Sequence, residues 1–436
     1  MPRDVFPDIR QQGFADRVPV EEAIRWVDRH SPRHSTPGDS ETVPVAAAAG
    51  RVLAQPFVSP TDQPPVDTAA EDGYALRSAE TVGAGSYNPL PFRIQTGNHA
   101  LSSLSAALVS SGTPMPPGAD AVAPFDLVRV GIETIGPETA ELIAAVAQGA
   151  GVNLQGHEVR KATRLIEPSR PLRPSDLGLI TSFGIAQVRV LRRPLVRIIL
   201  AGCKPSQLCD PADATAPDAN CPDANGPMLR ALVTRDGGLI ELCEYGITDR
   251  AAIAGLIACP GADVVLVCGR TATGPDDEAP LALNAAGTLS IHGIALRPGA
   301  STGMGSAGDI PVILLPGSPL ACLCAYDLFA GRLIRRLGGR SPQLPYRVRT
   351  ATVGRKIVSS IGDVELCRVR LAAGEAAGEA AGEAIPLGSA DSGGLASIAR
   401  ADGFVLVPAA LEGYAPGTPV DVYLYDEAES LEGTRI

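Results

Sequence analysis

Leu195-Val196-Arg197-Ile198-Ile199-Leu200-Ala201, Asp263-Val264-Val265-Leu266-Val267-Cys268 and Pro311-Val312-Ile313-Leu314-Leu315 are short, nearly uninterrupted apolar runs, and what separates them decides the fold. Pro227 to Arg235 and Asp249 to Ala258 are amphipathic segments of helix length, with a strand-like Leu239 to Tyr245 between them. Ile291 to Leu296 reads as a further strand, and Ser318 to Leu337 as a long helix. Strands covered on both faces lose the polar alternation of a half-solvated sheet, so this pattern predicts an α/β domain with a largely parallel sheet. Ligands of such sheets sit beyond the carboxyl ends of the strands, which directs attention to the loops after Ala201, Cys268 and Leu315.

Outward from this centre the texture changes. Val18 to His30 places Val20, Ala23, Ile24 and Val27 at helical spacing and predicts a short packing helix. Thr42 to Val66 mixes strand-like pieces with Pro-rich punctuation, and a compact turn segment follows from Asp67 to Ala75. Gly83 to Ile135 alternates short apolar runs with Gly and Pro, as in a small β-rich domain, and Leu172 to Phe183 resumes helical periodicity. The β-rich part is therefore read as an insertion into a helical one. After Arg340 the short strands YRVRTATV, VELCRVRL, GFVLVP and PVDVYLY predict a final small β domain. Within it, Ala373 to Ala384 repeats Gly-Glu-Ala; glycine every fourth residue opposes a helix, so an exposed hairpin loop is expected.

At 436 residues the chain has room for two to four domains, and its net charge of −11 comes without a Lys/Arg run that could track a phosphate backbone. A nucleic-acid partner is not expected. Nine scattered cysteines without a Cys-x-x-Cys pair, a polar stretch from Met1 to Phe14 and the lack of any long apolar segment predict a reduced, cytoplasmic protein with no membrane span. The five histidines share no zinc-ligand spacing, and neither G-x-S-x-G nor the phosphate loop G-x-x-x-x-G-K-[ST] occurs.

Three segments carry candidate chemistry. Leu315-Pro316-Gly317-Ser318-Pro319 joins a strand to a helix with Ser318 as N-cap and Pro319 at the first helical position, where free N–H groups and the helix dipole suit a phosphate; an ordinary capped helix start reads the same way. The loop from Gly269 through Thr271 and Gly274 to Asp277 offers hydroxyls and N–H groups for phosphate and a carboxylate for Mg²⁺, or is simply an exposed Gly/Thr loop. Asp67, Glu71 and Asp72 cluster around small residues and Gly73, either to ligate a hard cation or as a solvated turn.

Taken in order, these segments resemble the molybdopterin molybdenumtransferase family, MoeA and the gephyrin E-domain, from about Val18 to Tyr425. Asp72-Gly73-Tyr74-Ala75 is similar to the end of D-N-S-A-M-D-G-Y-A, Ser111 to Val122 to T-G-A-P-x-P-x-G-A-D-A-V, Arg297-Pro298-Gly299 to K-P-G, and Leu315 to Pro319 to L-P-G-N-P. The resemblance implies an elongated helical domain (15–66 and 160–193), an inserted β-rich domain (67–159), an α/β, MogA-like pterin-binding domain (194–341) and a C-terminal β barrel (342–436). It implies a homodimer that uses Mg²⁺, inserts molybdate into adenylylated molybdopterin with release of AMP, and serves molybdenum enzymes as clients. By position it marks Asp72, Ser111, Glu158, Asp249 and Asp277 as catalytic, with Asp72, Asp249 and Asp277 on the metal. Gly269, Thr271, Gly274, Arg297, Gly299, Gly317 and Ser318 are the corresponding cofactor-binding candidates.

The departures concentrate on the same loops. The family's T-G-D-E-L reads Ala201-Gly202-Cys203-Lys204-Pro205, its G-G-T-S reads Gly269-Arg270-Thr271-Ala272, and the second lysine of K-P-G-K is Ala300. Gly151 to Glu158 is two residues shorter than G-x-N-x-R-x-x-G-E-D and lacks its arginine. Three readings stay open: a molybdenum-inserting enzyme, a non-catalytic pterin-binding paralogue that carries cofactor to an oxidoreductase, and another transferase or hydrolase on the same scaffold.

Overall fold

The computed structural model describes residues 16–31, 40–96, 99–130, 139–168, 170–202, 223–372, 382–388 and 394–425. Cys203, Lys204 and Pro205, and the hairpin expected over most of 373–384, lie outside the described residues.

Helix α1, Val20–Arg29, has Glu21 and Glu22 in its first turn and Arg29 in its last, which complements the helix dipole. Its buried stripe of Val20, Ala23, Trp26 and Val27 enters the same core as Val196, Ile198 and Leu333, so the first helix packs on the α/β sheet. Asp28 fastens it there with a bidentate pair to Arg332 at 2.8 and 2.9 Å. Ser40–Pro44 then pairs antiparallel with Gln187–Leu191, and helix α2, Pro174–Ser182, closes a small core of Val45, Leu53, Phe57, Ile166, Ile180 and Val190 beside this ribbon. The chain between them builds a six-stranded sheet in the order Ala121–Pro124, Gly73–Leu76, Ser105–Val109, Leu90–Gln95, Thr139–Leu142, Val128–Val130.

The α/β sheet has the strand order Leu239–Ile247, Leu195–Ala201, Val264–Cys268, Ile310–Leu315, Gly303–Ala307, Thr288–His292. The first four strands are parallel and the last two antiparallel, so the expectation of a largely parallel sheet holds for the apolar runs themselves. Ile291 to Leu296, expected as one strand, is divided at Gly293 (φ +88°): Thr288–His292 stays in this sheet and Leu296–Arg297 joins another.

Alternation along Leu195–Ala201 sends Ile198 and Leu200 to one face and Ile199 and Ala201 to the other. Helices α3 (Asn225–Arg235), α6 (Pro319–Ala325) and α7 (Gly331–Leu337) cover the first face with α1; α4 (Arg250–Ala258) and α5 (Ala279–Ala286) cover the second. Each Leu, Ile or Val fully buried in this way contributes roughly 1.5–3 kcal/mol. The one charge inside the strand, Arg197, is wholly buried and satisfied by Glu241 at 2.9 and 3.0 Å and by the carbonyls of Leu256, Cys259 and Pro260. The expected long helix runs from α6 to α7 through a π turn, Tyr326–Ala330. The buried Asp327 of that turn accepts from Arg235 at 2.8 Å and from the Tyr346 hydroxyl at 2.7 Å.

In the last part, Val364–Ala372, Glu383–Pro386, Arg347–Val353, Pro419–Leu424 and Gly403–Val407 pair in that order, and the last pairs back to the first, closing a β barrel around Ala351, Val369, Val405 and Val422. Leu296–Arg297 adds to the Val364–Ala372 strand in parallel, so one α/β segment is stitched to the barrel. Among the described residues no helix is long and apolar enough to cross a membrane.

Candidate active site

Three backbones meet at the carboxyl edge of the α/β sheet. The Gly269 amide donates to the Leu315 carbonyl at 3.0 Å, and a Cβ on Gly269 (φ +90°) would stand 2.6 Å from the Ala201 carbonyl oxygen. Only glycine fits that approach, so the loop sequence is set first by packing. The next residue, Arg270, adopts φ +53°, uncommon for a side-chain-bearing residue; its Nη1 donates to the Asp276 carbonyl at 2.9 Å and its Nε lies beside Gly202. The guanidinium thus covers the ground between the first strand end and the Asp276–Asp277 turn.

Around this edge the sequence-marked residues divide by role. Thr271 is buried, with its hydroxyl on the Leu315 carbonyl at 3.4 Å and its own carbonyl 2.7 Å from His292 Nε2, so the exposed hydroxyl of the loop is that of Thr273. Asp277 accepts the Gly274 amide at 2.7 Å and closes a turn. Asp249 is the N-cap of α4 and accepts the Ala252 amide at 2.9 Å, while Arg250 pairs with Glu278 at 2.5 Å and ties the start of α4 to the start of α5. Gly317 and Ser318 are exposed, and Ser318 stands at the N-cap of α6 without a capping hydrogen bond from its side chain. Its hydroxyl is therefore not consumed by the helix.

Two residues that sequence reasoning missed complete the edge. Asp223 accepts the amides of Asn225 and Gly226 at 2.9 and 2.7 Å, and Asn225 Nδ2 donates to the Gly317 carbonyl at 2.8 Å. The Oδ1 of Asn225 is buried with no partner among the described residues. An Asp-x-Asn at a helix start was the available signal. Tyr245 reaches the same corner, and burial pushes its phenol up to about 12. Beneath the Pro316 turn, Cys268 and Cys322 bring their sulfurs to 3.7 Å; their contact, together with burial, raises the Cys268 thiol well above its usual range and keeps it protonated.

A second group forms in the inserted sheet. The Ser111 amide donates to Asp72 Oδ1 at 2.7 Å and the Ser111 hydroxyl to the Ala70 carbonyl at 3.0 Å. Val152–Asn153 pairs with Thr68–Ala69, and the loop that follows, which bears the exposed Glu158, is held to the 62–67 segment by Gln155 donating to Asp67 and Asp62 and by the Glu158 amide donating to the Gln63 carbonyl. Among the described residues no group of three or more His, Cys, Asp or Glu side chains is arranged to hold a metal ion, so Asp72, Asp249 and Asp277 do not form one cluster within the chain.

Arg297 and Gly299 belong to a third place. Arg297 donates to the Ser360 hydroxyl at 2.7 Å and, with Arg355, Lys356, Ser359 and Glu365, lines a cavity of about 340 Å³ between the stitching strand and the barrel. The Ser359 hydroxyl oxygen is buried there with no partner among the described residues. A neighbouring cavity of about 440 Å³ is bordered by Arg17, Arg297, Gly299, Ala300 and Asp363, with Arg17 and Asp363 paired at 3.3 Å. Cations and hydroxyls in such walls suit an oxyanion.

Residues 18–184 match the MoeA N-terminal region (domain I and II), residues 213–336 the probable molybdopterin binding domain, and residues 350–425 the MoeA C-terminal region (domain IV). The chain is 26% identical over 429 residues to a molybdopterin molybdenumtransferase of Staphylococcus aureus, spanning 95% of this chain and 97% of that protein. To molybdopterin molybdenumtransferase 2 of Mycobacterium tuberculosis it is 27% identical over 399 residues, spanning 88% and 94%. A solved molybdopterin biosynthesis MoeA protein of Pyrococcus horikoshii superimposes with a TM-score of 0.74 at 27% identity, covering 94% of this chain and all of that one. With the three matched regions in one order and the same layout of sheets, the chain belongs to the MoeA-like molybdopterin molybdenumtransferase superfamily, as a divergent member.

Proposed function

We propose that, within the family's role in molybdenum-cofactor biosynthesis, this chain performs the metal-insertion step. It takes adenylylated molybdopterin and molybdate; water adds across the pterin–AMP phosphoanhydride, AMP leaves while the pterin keeps its own phosphate, and the two dithiolene sulfurs replace an oxygen on molybdenum that departs with their protons as water. The observation that carries the reading is the division of anion-binding chemistry over two places. Loop N–H groups, Thr273, Ser318 and Arg270 at the sheet edge suit the pterin phosphate, and the cavity of Arg297, Arg355 and Lys356 suits the smaller oxyanion.

Mg²⁺, which the resemblance implies, does not fit the described donors of one chain, because Asp249 and Asp277 each hold a backbone amide and no three candidate ligands converge. The group of Asp72, Ser111 and Glu158 is supplied, in this reading, by the second subunit of a homodimer; light scattering at micromolar concentration tests that, and a monomer that turns over substrate would refute it. Six described cysteines are free, which suits a reduced cytoplasmic setting, with a molybdenum enzyme as the client.

The occupied carboxylates favour a second reading, a pterin carrier without turnover. Equilibrium binding of AMP together with release of AMP from adenylylated molybdopterin separates the two: binding and release support the enzyme, binding alone the carrier, and neither overturns both.

A further inference from the structure

We propose that the crevice at the amino end of the α/β sheet, between the two-stranded ribbon and the end of α7, binds a small organic carboxylate with an apolar body. The crevice is about 530 Å³, and its walls differ in kind. Leu191 of the ribbon, with Val52 and Leu53 of the segment whose Leu53 bridges to Val190, forms an apolar side, while Arg336 and Arg340 form a cationic one. No carboxylate is among the lining residues.

Arg340 is fixed without being neutralised, and Arg336 is fixed with only a shared carboxylate near it. Arg340 donates to the carbonyls of Arg235 and Gly50 at 2.9 and 2.7 Å, and among the described residues it has no ion-pair partner. Arg336 is held by the Ser31 hydroxyl at 2.7 Å and reaches Asp28 only at 3.4 Å, a carboxylate that Arg332 already engages on both oxygens. Burial lowers the affinity of the Arg340 guanidinium for its proton, and the charges of Arg193, Arg335 and Arg51 add to the effect against the opposing pull of Asp236. An anion placed here relieves that excess of positive charge while its carbon body covers the leucines. An inorganic anion would leave the apolar wall wet, and a neutral molecule would leave the arginines uncompensated. The site is remote in sequence and in the sheet from the carboxyl-edge loops, and it stands or falls independently of the transferase reading.

Calorimetry on the full chain with benzoate and hexanoate tests this, with benzamide and inorganic phosphate as controls. Saturable benzoate or hexanoate binding is expected, at least about tenfold weaker for benzamide, because a lost charge-assisted hydrogen bond corresponds to about that factor. Ala54→Phe, which fills the crevice and leaves both arginines, abolishes the binding; Arg340→Gln weakens it by about tenfold or more. Circular dichroism identifies any variant that fails to fold, and a benzoate-soaked crystal of the unaltered protein provides the independent readout. Density between Leu53 and Arg340 supports the site. Absence of benzoate and hexanoate binding, equal affinity for benzamide, or binding that persists in folded Ala54→Phe overturns it.

Discussion

The Nε of Arg270 stands 2.8 Å from the position a Cβ on Gly202 would take, so its guanidinium lies across the end of the Leu195–Ala201 strand. A cation there can meet a ligand phosphate, and it is held in a left-handed conformation that costs a side-chain-bearing residue about 1–2 kcal/mol. Arg270→Gly removes that cost together with a hydrogen bond to the Asp276 carbonyl worth about 1 kcal/mol. The expected result is stability unchanged within about 1 kcal/mol by urea unfolding, with AMP affinity lowered about tenfold by calorimetry. Unchanged AMP affinity would remove Arg270 from the site.

Arg297 gives a second test, because it faces the barrel cavity and not the sheet-edge loops. Arg297→Ala is expected to weaken molybdate or tungstate binding by about ten- to a hundredfold while AMP binding stays within about twofold, the loss being one charged hydrogen bond. Equal losses for both ligands would mean a single shared site.

The continuous apolar strands made the α/β domain legible in sequence, and alternating short strands did the same for the barrel. The Gly303–Ala307 strand was not legible, since Gly-Met-Gly-Ser-Ala lacks apolar continuity; it is held by antiparallel pairing on both sides. In the candidate site, the positions of Gly269, Gly317 and Ser318 followed from strand-loop-helix grammar. The burial of Thr271 and the Asn225–Gly317 bond did not, because they depend on how strand ends distant in sequence approach one another.

That approach predicts a folding phenotype at Gly269. A Cβ placed 2.6 Å from the Ala201 carbonyl oxygen, on a backbone at φ +90°, must displace one of two strand ends. Gly269→Ala should cost about 1–3 kcal/mol in urea unfolding, whereas Gly255→Ala on α4, with open space around its Cβ, should be neutral or stabilising. Equal stability of the two variants would contradict the packing described.

Acid sensitivity follows from Asp176. The bidentate Arg170 pair and the Arg173 amide hold its carboxyl below the usual carboxylate range. A depressed folded pKa contributes stability that is complete above the unfolded value and lost as pH falls through the folded one. Asp176→Asn should therefore lower stability near neutral pH by about 1–3 kcal/mol and flatten the acid limb below pH 4, read by urea unfolding from pH 7 to pH 3. A deficit that does not shrink on acidification would assign the effect to packing.

The most direct measurement is an in-vitro insertion assay with purified protein, adenylylated molybdopterin and molybdate, scored by AMP release and by activation of a molybdenum-free apoenzyme. At the positions that the resemblance aligns with two acids of the family the chain carries Cys203 and Lys204, and replacing two negative charges by a thiol and an ammonium favours holding an oxyanion over releasing it. The account predicts molybdate-dependent AMP release that is slow beside a member retaining the acid pair, and faster after the double change Cys203→Asp with Lys204→Glu. Wild-type turnover equal to that member and lowered by the double change, or pterin bound with no AMP released by either form, would contradict it.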